Sequence, residues 1–233
     1  MRWRGAHEAA VALRYVSGMS DLSNETPGGI YLLAAHPNWR DSRVNRRLLA
    51  AARAAPGVDV QDLYGSYADY DIDVAAEQTR AQAARMIVLL HPIQWYSMPA
   101  LMKLWVDDVL AHGWAYGTGG DALRGKDLWL VATTGGPESS YRAQGYNRFA
   151  FEAFLPPYRQ TAALCGMRFV PPLLLYGAHA VSDEAIEAHV RIFEGLLKSH
   201  PHWPGPAGLA EAEAYPGYAV PQVDRPHGHG EAH

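Results

Sequence analysis

Cysteine is almost absent: Cys165 is the single thiol in 233 residues. That excludes an internal disulfide framework and a thiolate-built metal site. It fits a reducing compartment, so a cytoplasmic location is expected. Long apolar runs are missing as well. No window approaches the roughly 18 consecutive apolar residues that a membrane-crossing helix needs. Near the start, Arg2 and Arg4 precede a short apolar patch that Glu8 and Arg14 interrupt, and no small-residue cleavage site follows. This does not read as a signal peptide. Nor is there an excess of basic charge. The net charge is −4 and the isoelectric point about 6.2. A nucleic-acid binder would favour a basic stripe instead, so no nucleic-acid partner is expected.

What is present suits a folded α/β chain. Hydrophobic residues make up 48% and charged residues 19%, enough for one domain with a sizeable core and short for two. Regular patterning begins after Gly28-Gly29. Continuous apolar runs predict strands over 30–35, 86–90 and 128–132, of the kind buried on both faces in parallel sheets. Two more strands are predicted over 58–63 and 169–175. Helices are predicted over 42–55 with Ser42 as N-cap, 74–84 with Asp73 as cap, and 97–111 with Ser97 as cap and Pro99 in the first turn. Two others are predicted over 149–165, interrupted at Pro156-Pro157, and over 183–198. The alternation implies a doubly wound parallel sheet, and five such strands match the flavodoxin-like order 2-1-3-4-5. The expected organisation is a poorly ordered extension over 1–29, the folded domain over 30–199, and a Pro-, Gly- and His-rich tail over 200–233.

In such a sheet ligands bind beyond the carboxyl ends of the strands, so the segments that follow the strands matter most. The first is His36-Pro37-Asn38-Trp39-Arg40-Asp41-Ser42-Arg43-Val44-Asn45. A loop entering a helix offers free N–H groups and the positive end of the helix dipole, which suit a phosphate. His36, Ser42 and Asn45 add side-chain donors. No G-x-G-x-x-G is present there, so a Rossmann-type dinucleotide site is not supported. A plainer reading stays open, with Ser42 capping the helix and His36 closing the strand.

The second segment is His91-Pro92-Ile93-Gln94-Trp95-Tyr96-Ser97-Met98-Pro99. Trp95 and Tyr96 offer a flat apolar wall beside exposed amides, as an isoalloxazine ring requires. Alternatively, the two aromatics pack the next helix. The third segment is Thr133-Thr134-Gly135-Gly136-Pro137-Glu138-Ser139-Ser140-Tyr141. Paired glycines let backbone approach a planar ligand, their amides suit pyrimidine carbonyls, and Tyr141 can donate a hydrogen bond nearby. An ordinary Gly-rich turn is the alternative. The functional reading gains because all three segments lie at strand ends that face one crevice.

Together these residues resemble the flavodoxin-like NAD(P)H:quinone oxidoreductases, over roughly residues 30–197. Within that family the chain is similar to the small bacterial ancillary oxidoreductases of glutathione-gated potassium efflux systems. Tyr67-x-Asp69-Tyr70-x-Ile72-Asp73, His91-Pro92-x-Gln94-Trp95-Tyr96-Ser97, Lys103-Leu104-Trp105 and His112-Gly113-Trp114-Ala115-Tyr116-Gly117 carry this likeness.

The resemblance implies roles. His36, Ser42, Val44 and Asn45 would hold a flavin phosphate. Pro92, Ile93, Gln94, Trp95 and Tyr96 would line the ring, and Thr133, Thr134, Gly135 and Gly136 the pyrimidine side. Tyr141 would stabilise the charge of the reduced flavin. Trp114 and Tyr116 would line the substrate slot from a neighbouring subunit of a homodimer. The implied cofactor is FMN, with FAD the alternative, and the hydride donor is NADPH or NADH. The implied reaction is ping-pong hydride transfer through flavin N5 to a quinone-like acceptor. One position departs from the pattern. Where the mammalian branch has a proton-managing histidine six residues beyond the tyrosine, this chain has Asn147, which cannot relay a proton as an imidazole does.

The likeness also implies a second function, as a regulatory subunit of a membrane potassium efflux transporter, peripheral on the inner face of the cell membrane. An electron carrier is a third possibility, against which the modest net charge and the aromatic slot argue. No metal is expected. Asp69, Asp71 and Asp73 lack the glycine and the glutamate that complete a calcium loop. The histidines near the C-terminus read as a tail.

Overall fold

A computed structural model describes residues 29–202. The expectations for residues 1–28 and 203–233 lie outside the described residues. Five parallel strands form one sheet in the order β2-β1-β3-β4-β5, as the pattern predicts. They are β1 (Ile30–Ala34), β2 (Val58–Asp62), β3 (Met86–Pro92), β4 (Asp127–Thr133) and β5 (Arg168–Leu175). Among the described residues six α-helices accompany them: α1 (Asn45–Ala54), α2 (Leu63–Ser66), α3 (Val74–Ala83), α4 (Ala100–Val109), α5 (Pro156–Leu164) and α6 (Asp183–Ser199).

Burial explains the patterning. Strands β1 and β4 are buried at every position, and β3 at every position before Pro92. Helices cover both faces, so no position on these strands needs a polar residue. The edge strands β2 and β5 have mixed exposure. Pro171 and Pro172 fall in β5 where its register against β4 shifts between Trp129 and Val131. Proline cannot donate to a ladder, so an edge strand with an irregularity tolerates it.

Two predicted helix starts are corrected. Helix α1 begins at Asn45, and its N-cap Val44 makes no side-chain cap bond. A 3-10 turn over Trp39–Asp41, capped by Asn38, takes up the preceding residues. The Ser42 hydroxyl still accepts from Arg46 N at 3.2 Å. Helix α4 begins at Ala100 after Pro99. Ser97 instead closes a two-residue turn, its N–H and C=O paired with Gln94 at 3.0 Å each. Asp73 caps α3 as expected, accepting from Ala76 N at 3.0 Å. The short helix α2, capped by Asp62, was not anticipated. Among the described residues no helix is long and apolar enough to cross a membrane.

Among the buried imidazoles are His91, fully buried one residue before the end of β3, and His189 on α6, nearly so. Burial pushes both down to about 4. Each is neutral in the fold yet titrates near 6.5 when unfolded, so the unfolded chain gains protons first on acidification. Their stabilising contribution is complete above pH ~6.5 and is lost as the pH falls toward about 4. Acidification from neutral to about pH 5 is expected to remove about 2 kcal/mol per imidazole. Urea midpoints across that range test this. His189→Leu should flatten the dependence, and an unchanged slope would remove His189 from the account.

Candidate functional site

Three loops meet at the carboxyl edge of β1, β3 and β4. The first is anchored by Trp39, whose Nε1 donates to Asp62 Oδ1 at 3.0 Å. His36 Nδ1 accepts from Asn38 N at 3.1 Å, which assigns the ring proton of the neutral imidazole to Nε2 as a donor. Burial lowers the His36 pKa, partly opposed by its bond to Asn38 and by Asp41.

Ser42, Val44 and Asn45 are buried. Among the described residues no acceptor receives the backbone N–H groups of Arg43, Val44 or Asn45. They stand at the positive end of α1, so an anion would meet donors and a favourable dipole together. Asn45 Nδ2 donates to Thr133 Oγ1 at 2.9 Å, joining the helix start to the end of β4. Its Oδ1 is buried without a donor. A buried amide oxygen left unpaired is costly, and a ligand hydroxyl would complete it.

The second loop leaves β3 at Pro92, which lies opposite Thr133 in the ladder. Ile93 N donates to Thr133 O at 2.7 Å. In the turn Gln94–Ser97 that follows, Trp95 and Tyr96 have φ of 49° and 63°. Side chains other than glycine rarely adopt this region, because Cβ crowds the carbonyl. The turn holds Trp95 out at 93% exposure. Tyr96 stacks on Phe154 with centroids 5.1 Å apart, and its hydroxyl donates to Asn147 Oδ1 at 3.5 Å.

The third loop leaves β4. Thr134 Oγ1 donates to Gly136 O at 2.7 Å, and Gly177 N donates to the same carbonyl at 2.9 Å. A side chain at Gly135 would meet the His179 ring at 3.4 Å. Tyr141 is wedged among Phe151, Phe154 and Tyr176 at 5.5, 6.1 and 5.5 Å. Burial raises its phenol pKa, opposed by the neighbouring Thr134 and Asn147 and reinforced by Tyr96. Asn147 N donates to Ser140 O at 2.9 Å, closing the loop on itself. Gly145 is required there, since a Cβ would lie 2.4 Å from Ser139 O.

Between the second and third loops lies a cavity of about 270 Å³, lined by Ile93, Trp95, Tyr96, Gly136, Ser140, Tyr141, Tyr146 and Asn147. Most of the residues singled out from the sequence on these two loops therefore share one recess, and Thr133 ties it to the first loop through Asn45. Trp114 and Tyr116 do not line it. They lie on the loop between α4 and β4, partly buried against the core. Sequence reasoning missed Tyr146, which is 89% exposed and lines the cavity. An aromatic residue between Tyr141 and Asn147 was the available signal. The aromatic support of Tyr141 by Phe151, Phe154 and Tyr176 was not legible either.

A family model described as a flavodoxin-like fold matches residues 29–197. The glutathione-regulated potassium-efflux system ancillary protein KefF of Citrobacter koseri is 45% identical over 168 residues, 72% of this chain and 94% of that protein. Three solved structures extend the comparison. A thermophilic tryptophan halogenase from Streptomycin violaceusniger is 36% identical with a TM-score of 0.68, covering 75% of this chain and 99% of that one. General stress protein 14 of Treponema denticola, solved in complex with FMN, is 33% identical with a TM-score of 0.70, covering 73% and 98%. An NADPH-quinone reductase from P. pentosaceus is 25% identical with a TM-score of 0.66, covering 72% and 97%.

Proposed function

This chain belongs to the family of flavodoxin-like fold, and from that premise we propose that it is an FMN-dependent NAD(P)H:quinone oxidoreductase. One observation carries the reading: acceptor-free donors at the start of α1 and an aromatic-walled cavity share one sheet edge, joined through Asn45 and Thr133. A planar ring on a phosphate-bearing chain matches that pairing. FMN in a relative of the same fold and NADPH-quinone reduction in another support it. Fold alone does not choose the reaction, since a tryptophan halogenase shares it.

Bound flavin would supply the redox chemistry, taking hydride from a reduced nicotinamide and passing it to a quinone. The residues supply the rest. The N–H groups of Arg43, Val44 and Asn45, with His36 and Ser42, would hold the phosphate. Asn45 Oδ1 would accept from a hydroxyl of the cofactor. Pro92, Ile93 and Gln94 would set the approach of the ring, Trp95 and Tyr96 would wall it and exclude water, and Thr134, Gly135 and Gly136 would hold the pyrimidine side. The Tyr141 phenol, whose pKa burial raises further, would donate a hydrogen bond where anionic charge develops. Asn147 orients it and relays no proton. Trp114 and Tyr116, which do not line the cavity of their own chain, would complete the slot of a second copy in a homodimer. The likeness to the efflux ancillary protein favours a second role beside a potassium efflux transporter, which a pull-down with that transporter's cytosolic domain tests.

The visible spectrum of the purified protein tests the enzyme reading. Flavin absorption that NADPH bleaches and a quinone restores is the expected result. Tyr141→Phe should then lower turnover and leave the flavin bound. A colourless protein that takes up neither FMN nor FAD would overturn the proposal.

A further inference from the structure

A second opening lies at the other edge of the sheet, where β3, β4 and β5 begin. It encloses about 630 Å³, more than twice the aromatic cavity, and Arg85, Arg124, Lys126 and Arg168 line it with Asp127 and His200. The sheet places these groups side by side. Arg85 directly precedes β3, Lys126 directly precedes β4, and Arg168 opens β5. Adjacent strands enter in register, with Met86 opposite Asp127 and Asp127 opposite Arg168.

The acidic features of this cleft are already answered. Arg168 grips Asp127 through two bonds of 2.7 and 2.8 Å, and His200 Nε2 meets the same carboxylate at 3.1 Å. Hydrogen bonds from Arg168 and His200 hold the Asp127 carboxyl below its ordinary range, against the burial that would raise it. Lys126 Nζ covers the carbonyls of Gln82, at 2.7 Å, and Ala84, capping the negative end of α3. Arg85 and Arg124 are left over. Neither guanidinium has a hydrogen bond or ion pair among the described residues. Their backbones are nevertheless fixed, Arg85 N to Gly29 O at 2.7 Å and Arg124 N to Asp121 O at 3.0 Å. Gly125 between Arg124 and Lys126 has open space where a Cβ would stand. The cleft thus carries three cations without a carboxylate partner on a chain whose net charge is −4.

We infer that this cleft binds a phosphorylated small molecule, separate from the flavin-type site. Guanidinium forks match phosphate oxygens in pairs, and a ligand of two or more negative charges is what two unpaired guanidiniums beside the Lys126 ammonium favour. The volume lies in the range of small-molecule sites.

Pyrophosphate is the probe. Calorimetric titration uses the full-length protein saturated with FMN, so that the first-loop donors are not competing. Saturable binding is expected, and Arg85→Gln with Arg124→Gln should weaken it about tenfold or more. Both side chains are exposed, so the melting temperature should not move. Arg142→Gln, an exposed arginine on the opposite edge, should leave pyrophosphate affinity unchanged. No binding at millimolar pyrophosphate would overturn the inference. So would binding that the double variant leaves intact, or binding that Arg142→Gln weakens as much as the double variant does.

Discussion

Replacing Glu77 by alanine is expected to remove about 3–5 kcal/mol of stability, the cost of breaking a buried charged network at one partner. Glu77 is fully buried on α3. Its carboxylate accepts from Tyr31 Oη, from Tyr67 Oη at 2.7 Å and from Trp105 Nε1 at 2.6 Å. Arg80 lies 3.6 Å away as the counter-charge and sits over the Tyr31 ring at 4.5 Å. Burial and the carboxylate push the Tyr31 phenol far above its usual range and the Tyr67 phenol up to about 12, so both remain donors. Without the carboxylate, Tyr31 and Trp105 keep buried donors with nowhere to point. The network ties β1, α3 and α4 together. Urea unfolding of Glu77→Ala measures the effect. A midpoint within error of the parent would mean that these bonds merely balance the desolvation of the charge.

The second large effect runs in opposite directions on stability and activity. Trp95→Asn with Tyr96→Gly converts the strained turn to a sequence suited to two positive φ angles. Each aromatic residue there costs about 1 kcal/mol or more in backbone strain. The double variant forfeits the Tyr96–Phe154 stack, itself worth about 1 kcal/mol. A net gain of about 1 kcal/mol in stability is therefore expected. Turnover with NADPH and a quinone should fall about 100-fold, corresponding to about 3 kcal/mol of lost ring contact. Thermal melts and steady-state assays on one preparation read both. A destabilised variant would show that the turn is not strained. Unchanged turnover would show that the two rings do not wall the reacting site.

The two variants probe different dependences on the fold. Glu77 sits in a helix whose sequence, Val-Ala-Ala-Glu-Gln-Thr-Arg, reads as solvent-facing. Its partners come from positions 46, 28 and 10 residues away, and nothing local announces them. The turn at Trp95 and Tyr96 was legible as an aromatic loop at a strand end. Its left-handed backbone was not, because φ there is set by the paired Gln94 and Ser97 and by the packing of Tyr96. The same limit explains the shifted starts of α1 and α4. Ser42 and Ser97 are good caps by residue type, but a 3-10 turn and a two-residue turn occupied the positions where capping would have begun.

By itself the sequence determined the strands, their order and the three loops that matter. Continuous apolar runs mark strands covered on both faces, and a parallel sheet with one helix per crossover brings the same ends of those strands to one edge. It also exposed the residues suited to phosphate and ring recognition, because those chemistries draw on few residue types. Tertiary structure decided what touches what. It set Tyr146 beside Tyr141 and Asn147, kept Trp114 and Tyr116 away from the cavity lining of their own chain, and buried Glu77 among its donors. It also gathered Arg85, Arg124, Lys126 and Arg168 at the far edge. Side chains distant in sequence meet only when the sheet fixes register and the helices fix depth, and neither quantity is written in the spacing of any one segment.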